Sequence, residues 1–336
     1  MERAAEAPAV MTQGLTKRYS TAVAVDALNL TVPAGSVFGF LGPNGAGKTT
    51  TIRMLMGLAR PTAGQALIFG EPAGPNSPVK RRIGFLPDVP AFYGWMRAPE
   101  YLEFAGGLFG MGGSALKKRV GELLEFTGLA GVKTRVGGFS RGMKQRLGLA
   151  QALVNDPDLV ILDEPTSALD PIGRREVLDA IKALGQNTAA TVFFSTHILA
   201  DVERVCERVA ILDRGRLVAD ETLKDLKARY TRPIFLVTLG SGLDQAQQAA
   251  ADLAKEMRGL DWVEQVDQAE AEGGAATAGG AAVAGQGAVL RVTARDSDAA
   301  QRAIPKLVSE RGLPLARFET AEPTLEDVFM RVVNRR

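Results

Sequence analysis

Gly42-Pro43-Asn44-Gly45-Ala46-Gly47-Lys48-Thr49 is the stretch on which the reading of this chain turns. It satisfies the pattern G-x-x-x-x-G-K-[ST] and lies where that pattern acquires meaning, after the apolar run Val37 to Leu41 and before a helix-like stretch from Lys48 to Leu58. Glycines let the backbone curl so that successive N–H groups point inward at phosphate oxygens. The helix that follows adds the positive end of its dipole. Lys48 supplies a cation between the β- and γ-phosphates, and the Thr49 hydroxyl suits Mg²⁺. Thr50, next along, is counted with the nucleotide-binding residues. The pattern implies a bound nucleotide but not which class of phosphate-loop protein carries it.

Outward from this loop, the first 230 or so residues alternate strand-like and helix-like segments, the mark of an α/β core. Further buried-strand runs are expected at Leu159 to Leu162, Thr191 to Ser195 and Val209 to Leu212, the last turning at Arg214-Gly215. Between Val89 and Asn155 the pattern is mostly helical, with breaks expected at Gly106-Gly107 and Gly112-Gly113, so residues 89–155 read as a helical insertion. The run Leu159 to Leu162 ends in Asp163-Glu164. Carboxylates at the C-terminal end of a strand face the ligand crevice of an open α/β sheet. Asp163 suits the Mg²⁺ shell, and Glu164, pointing differently, suits a water that attacks a phosphate. Taken alone the two acids would be read as solvent-facing; the phosphate loop tips the balance toward function.

Composition shifts after Tyr230. Strand-like runs at Ile234 to Leu239, Asp261 to Val266, Ala288 to Ala294 and Leu315 to Phe318 are interleaved with helical segments at Leu243 to Met257 and Asp296 to Arg311. The order is βαββαβ, so residues 231–336 are expected to form a small ferredoxin-like α+β domain. Residues 269–287 are Gly/Ala-rich, with too little apolar area to offset ordering entropy, and are expected to be a disordered loop. Thr324 and Asp327 start a last helix whose Leu325, Val328, Phe329, Val332 and Val333 share one face. Packing on its own domain is preferred for that face over contact with a second subunit.

The chain has 336 residues, enough for one large and one smaller domain. Its 40 Lys+Arg against 38 Asp+Glu give no general pull toward nucleic acid. The single cysteine, Cys206, cannot form an internal disulfide and reads as a small core residue on an amphipathic helix, consistent with a reducing compartment. The start Met1-Glu2-Arg3-Ala4-Ala5-Glu6 lacks the apolar region of a signal peptide, and no run reaches the roughly 18 apolar residues of a membrane span. The chain is expected to be soluble, with any membrane role coming through a partner.

Phe139-Ser140-Arg141-Gly142-Met143-Lys144-Gln145-Arg146, just upstream of Asp163-Glu164, resembles the signature motif of ABC transporter ATP-binding subunits. Ser167-Ala168-Leu169-Asp170 is similar to that family's D-loop, with Asp170 as its acid. Ile83-Gly84-Phe85-Leu86-Pro87-Asp88 is similar to its Q-loop segment, His197 to its switch histidine and Tyr19 to the aromatic that stacks on adenine. The resemblance covers about residues 10 to 230 and implies a P-loop ATPase domain with ATP and Mg²⁺ as ligands. It implies that Glu164, His197 and Asp88 act in hydrolysis, that Thr49, Asp163 and Asp88 hold Mg²⁺, and that Tyr19 and residues 42–50 bind ATP. It implies further that Ser140, Arg141, Gly142 and Met143 bind the ATP of a second copy, and that Asp170 senses the opposite site. A lone histidine is more often structural; the family match favours a γ-phosphate contact for His197.

Two departures stand out. Arg141 replaces the glycine that usually follows the signature serine, and Asp88 replaces the usual Q-loop glutamine, a shorter and charged group. Both resemble the branch serving separate export permeases, as does the tail from Glu322 to Phe329. The resemblance therefore implies a homodimer on the cytoplasmic face of the membrane, bound to a permease. The aromatic segment Pro90 to Phe104, with Phe92, Tyr93, Trp95, Met96, Tyr101 and Phe104, has two open readings: core of the helical insertion, or lining of a groove for a permease helix. The alternative function is a soluble mechanoenzyme of the same ATPase class acting on DNA or ribosomes. The absence of a heptad run between Lys48 and Asp163, the single ATPase unit and the near-neutral charge disfavour it. A non-catalytic nucleotide sensor is disfavoured by the presence of both Glu164 and His197.

Overall fold

A computed structural model describes residues 7–167, 169–230, 232–240, 243–269, 288–321, 325–326 and 328–329. These divide between two compact units at Leu226 and Lys227. The first begins with β1 (Val10–Arg18), β2 (Val23–Val32), β3 (Val37–Leu41) and α1 (Lys48–Leu55). It continues with β4 (Ala63–Ile68), β5 (Glu71–Pro72) and β6 (Ile83–Leu86), then the helices α2 (Ala98–Leu108), α3 (Gly113–Phe126) and α4 (Arg141–Ala152). Next come β7 (Leu159–Asp163), α5 (Pro171–Asn187), β8 (Thr191–Thr196), α6 (Leu199–Val205), β9 (Arg208–Asp213) and β10 (Arg216–Thr222). The division falls within α7 (Leu223–Tyr230).

The central sheet runs β10-β9-β3-β8-β7-β6, with every pairing parallel except β9 with β10. Strands covered on both faces must be apolar throughout, and β7 and β8 are buried at every residue. Phe193 of β8 stacks on Phe38 and leans on Phe40 of β3, with ring centroids 5.9 and 5.3 Å apart. Between the two phenylalanines of β3, Gly39 leaves room for Val202, Cys206 and Val209. Cys206 is the buried residue just past α6, not within the helix, and adopts extended backbone there. A second sheet, β2-β1-β4-β5, is antiparallel and was not anticipated from the sequence.

The insertion contains α2, α3 and α4. Gly106-Gly107 does not break α2, which runs through to Leu108. Gly106 is instead a close-approach position: a Cβ there would collide with Leu116 of α3. The chain reverses one turn later, at Gly110, with φ of 79°. Similarly, α1 ends at Leu55 rather than Leu58, because Gly57 takes a left-handed φ of 65°.

The second unit contains β11 (Ile234–Leu239), α8 (Leu243–Met257), β12 (Val263–Ala269), β13 (Val289–Ala294), α9 (Ser297–Glu310) and β14 (Leu315–Ala321). All pairings in its sheet, β12-β13-β11-β14, are antiparallel, which is the ferredoxin-like α+β arrangement. Phe235, Val237 and Leu239 alternate along β11 and bury against Leu253, Met257, Ile304 and Val308 from α8 and α9. Asp296 caps α9 by accepting from the N–H groups of Asp298 and Ala299. β12 starts two residues later than expected, because Asp261 and Trp262 form the turn before it. Most of the Gly/Ala-rich segment expected to be disordered, and Thr324, Asp327, Val332 and Val333 of the last helix, lie outside the described residues; Leu325 and Val328 are buried.

Gly84 of β6 lies against the end of α4, where a Cβ would run into the Ala152 carbonyl. Backbone cannot rotate away as a side chain can, so Gly84→Ala is expected to cost about 1–3 kcal/mol in chemical denaturation.

Candidate functional site

The three strands β3, β8 and β7 are adjacent and parallel, so the segments leaving them open on one edge of the sheet. The ladder pairs Leu41 with Thr196 and Asp163 with Ser195. The loop 42–47 therefore leaves β3 beside His197, which follows β8, and Glu164, which follows β7. In the loop, Gly45 and Gly47 have φ of 81° and 106°, and a Cβ on Gly47 would strike the Ala24 carbonyl. Only glycine fits there.

Lys48 is buried, and its ammonium donates to the carbonyls of Gly42 at 2.6 Å and Pro43 at 3.3 Å. Its Nζ is also 3.1 Å from Glu164 Oε1. The other oxygen, Glu164 Oε2, is 2.9 Å from His197 Nδ1. Glu164 has φ of 50°, in the left-handed region, and its N–H donates to both the carbonyl and the hydroxyl of Ser195 at 3.1 Å. The Ser195 hydroxyl donates to Asp163 Oδ1 at 2.6 Å, and Thr49 Oγ1 donates to the same oxygen at 3.3 Å. Burial pushes the Asp163 carboxyl above its ordinary value; the bonds from Ser195 and Thr49 pull it down, and the charges of Asp88 and Glu164 push it up again.

Lys48, Thr49, Asp163, Glu164 and His197 are thus one bonded cluster. Ser195 joins it as a hinge between the two acids, a part the sequence reading had not given it. Its only signal was a hydroxyl at the polar end of an otherwise apolar strand.

The remaining candidates lie outside these bonds. Asp88 is exposed just beyond β6, reaching Asp163 by charge alone. Thr50 is half-buried in α1. Tyr19 is 48% exposed in the turn between β1 and β2, with Lys17 Nζ 5.1 Å from its ring centroid. Ser140 is the N-cap of α4 and accepts from the Met143 N–H at 3.2 Å, which leaves its own hydroxyl proton free to donate. Arg141 is exposed, and open space surrounds Gly142. Asp170 accepts from the Gly173 N–H at 2.7 Å as the N-cap of α5, a structural bond the sequence reading did not foresee.

Among the described residues no three His, Cys, Asp or Glu side chains cluster as a metal cage. The donors present, Thr49 and Asp163, are hard oxygens. They suit Mg²⁺, which is held by one or two protein oxygens with phosphate and water completing its shell.

The aromatic segment divides. Tyr101 is buried, bonds Gln151 Oε1 at 2.9 Å and meets Phe92 edge-on at 5.1 Å. Tyr93, Trp95 and Phe104 are exposed, with Tyr93 centroids 6.0 and 5.6 Å from the other two. One side serves the core and the other faces outward.

Two family descriptions match the sequence: "ABC transporter" over residues 25–167, and "ATP-binding protein DrrA1-3-like, C-terminal domain" over residues 222–333. The ABC transporter ATP-binding protein YxlF of Bacillus subtilis is 38% identical over 323 residues, which is 96% of this chain and 98% of that one. The chain is an ABC transporter ATP-binding protein. The Nod factor export ATP-binding protein I of Cupriavidus metallidurans is 37% identical over 251 residues, 74% of this chain and 82% of that one. A dimeric ATP-binding cassette solved in a post-hydrolysis state with ADP and Pi has a TM-score of 0.59 and 26% identity, covering 64% of this chain and 98% of that one. As an ABC ATP-binding subunit the chain binds nucleotide and hydrolyses ATP. No helix among the described residues is long and apolar enough to cross a membrane.

The raised carboxyl of Asp163 means that folding disfavours its charged form. That cost is fully present above the folded value and fades as pH falls through it toward the ordinary carboxylate value of about 3.9. Asp163→Asn keeps an acceptor for Ser195 and Thr49. Its melting temperature at pH 7 is expected to equal or exceed that of the parent, with the difference shrinking as the scan is repeated at lower pH.

Proposed function

We propose that the bonded cluster at the ends of β3, β7 and β8 is the hydrolytic centre. The observation that carries this is the double engagement of Glu164, by Lys48 through one oxygen and by His197 through the other. The backbone N–H groups of residues 44–50 and the Lys48 ammonium grip the triphosphate, and Tyr19 offers its exposed ring to adenine. A γ-phosphate oxygen competes with Glu164 for Lys48. When it wins, Oε1 is released toward the attacking water, so the base becomes available only once substrate is bound. Water oxygen then bonds to the γ-phosphorus, the bond to the β–γ bridging oxygen breaks, and Glu164 takes the water's proton, leaving ADP and inorganic phosphate. His197 holds Oε2 through Nδ1. With the ring doubly protonated it donates to Glu164 and to a γ-phosphate oxygen together. Thr49 and Asp163, with Asp88 nearby, would hold Mg²⁺, which when bound offsets the negative charge of the phosphates.

The same reading extends to assembly. Two copies face each other, and Ser140, Arg141, Gly142 and Met143 of one complete the nucleotide site of the other, with Asp170 at the junction. The solved dimer with ADP and Pi supports this by likeness. The exposed side of the aromatic segment, Tyr93, Trp95 and Phe104, receives a permease helix. That contact holds the subunit at the cytoplasmic face of the membrane, and likeness to a Nod factor export subunit favours export as the direction of transport.

Glu164→Gln removes the base while keeping the side chain's shape. Phosphate release by the purified chain is expected to drop by at least about 100-fold, with ATP-promoted dimers retained in size-exclusion chromatography. Normal turnover by this variant would refute the assignment. Replacing Tyr93 and Trp95 together by alanine is expected to weaken co-purification with the permease by about 2 kcal/mol or more, as loss of aromatic anchors does, with no change in basal ATP hydrolysis.

A further inference from the structure

Asp201 has no role in the chemistry above, yet it is fully buried in α6, four residues past His197. A buried carboxylate is costly unless its oxygens are engaged. Here both are: Oδ2 accepts from Thr166 Oγ1 at 2.5 Å, and Oδ1 accepts from Arg174 Nε at 2.6 Å. Thr166 is itself buried and lies in the turn that leaves Glu164, where the Ser167 N–H donates to the Glu164 carbonyl at 3.1 Å. Arg174 is in the first turn of α5, its backbone N–H bonded to the Asp170 carbonyl at 2.9 Å. On the other side, the Asp201 N–H donates to the Ile198 carbonyl, one residue past His197, at 3.2 Å.

One residue therefore ties three segments: its carboxylate holds the turn after Glu164 and the start of α5, and its backbone N–H bonds the turn after His197. Apolar side chains would fill the same space at lower electrostatic cost. Two directional bonds do what dispersion does not: they fix orientation. The contact between Glu164 and His197 is one 2.9 Å bond from a histidine side chain that is 40% exposed, and it has little packing of its own to hold it.

We infer that Asp201 is a positioning residue for ATP hydrolysis, acting through Thr166 and Arg174 to hold the two strand-end turns so that His197 and Glu164 stay in register. This rests on the hydrolytic reading of Glu164 and His197.

The test uses the full-length chain, with kcat and KM for ATP from phosphate release and folding followed by thermal melts. Asp201→Asn and Thr166→Val are each expected to lower kcat by about 10- to 100-fold, the scale on which misplaced groups act. KM for ATP should stay within about twofold, because phosphate binding does not pass through this link. Thr166→Ser keeps the hydroxyl and should restore kcat. The double variant Asp201→Asn with Thr166→Val should be no slower than Asp201→Asn alone, since both cut one linkage. Should Asp201→Asn fail to fold, the Thr166→Val and Thr166→Ser pair decides. Folded variants with the parent's kcat, or a kcat loss shared equally by Thr166→Ser, would overturn the inference while leaving the hydrolytic centre standing. A parent chain that binds ATP and releases no phosphate would overturn both.

Discussion

Parallel pairing of β7 with β8 and of β8 with β3 is the constraint on which the rest depends. In parallel strands a shift of register slides one strand end past its neighbour. Here Asp163 is level with Ser195 and Leu41 with Thr196. That alignment brings the phosphate loop, the acid pair and the histidine to one edge, although they are distant in sequence. It is enforced by the interior, where Phe38, Phe40 and Phe193 interlock across the strands. A slip would unstack the rings and part the site at once, so core packing and chemistry are secured by the same ladder.

Much of this was legible in the sequence, because phosphate chemistry narrows the choice of residue. Gly45 and Gly47 need left-handed backbone, Lys48 must be a cation with reach, and an acid pair must end an apolar strand. Each demand leaves a letter that can be read. Ser195 was not legible, because a serine at a strand end is common and only the register shows that it bridges Asp163 and the Glu164 backbone. Nor was the cap on α5 legible, where one carboxylate oxygen of Asp170 accepts from the Gly173 N–H.

The break expected at Gly106-Gly107 is absent for a physical reason. Adjacent glycines disfavour helix when the segment stands alone, and Gly106-Gly107 was read that way. In the fold, the missing Cβ of Gly106 lets α2 and α3 approach at Leu116, and the packing gained outweighs the propensity lost. The β2-β1-β4-β5 sheet escaped for a related reason. β2 buries alternate residues from Leu28 to Val32 and β4 exposes its first three, so neither has the continuous apolar run that marks β3, β7 and β8.

Glu164 carries a different lesson through its φ of 50°. Glycine would sit there with less strain, and a side chain in that region typically costs on the order of 1–2 kcal/mol. The protein accepts this at a position where both carboxylate oxygens are engaged, one by Lys48 and the other by His197. A smaller residue would relieve that strain but would leave the buried Lys48 ammonium without its carboxylate, and that loss, about 3–5 kcal/mol, is the larger of the two. The strained backbone at position 164 is therefore held in place by the ion pair it makes possible, and a stabilised version of this subunit should be sought elsewhere in the chain.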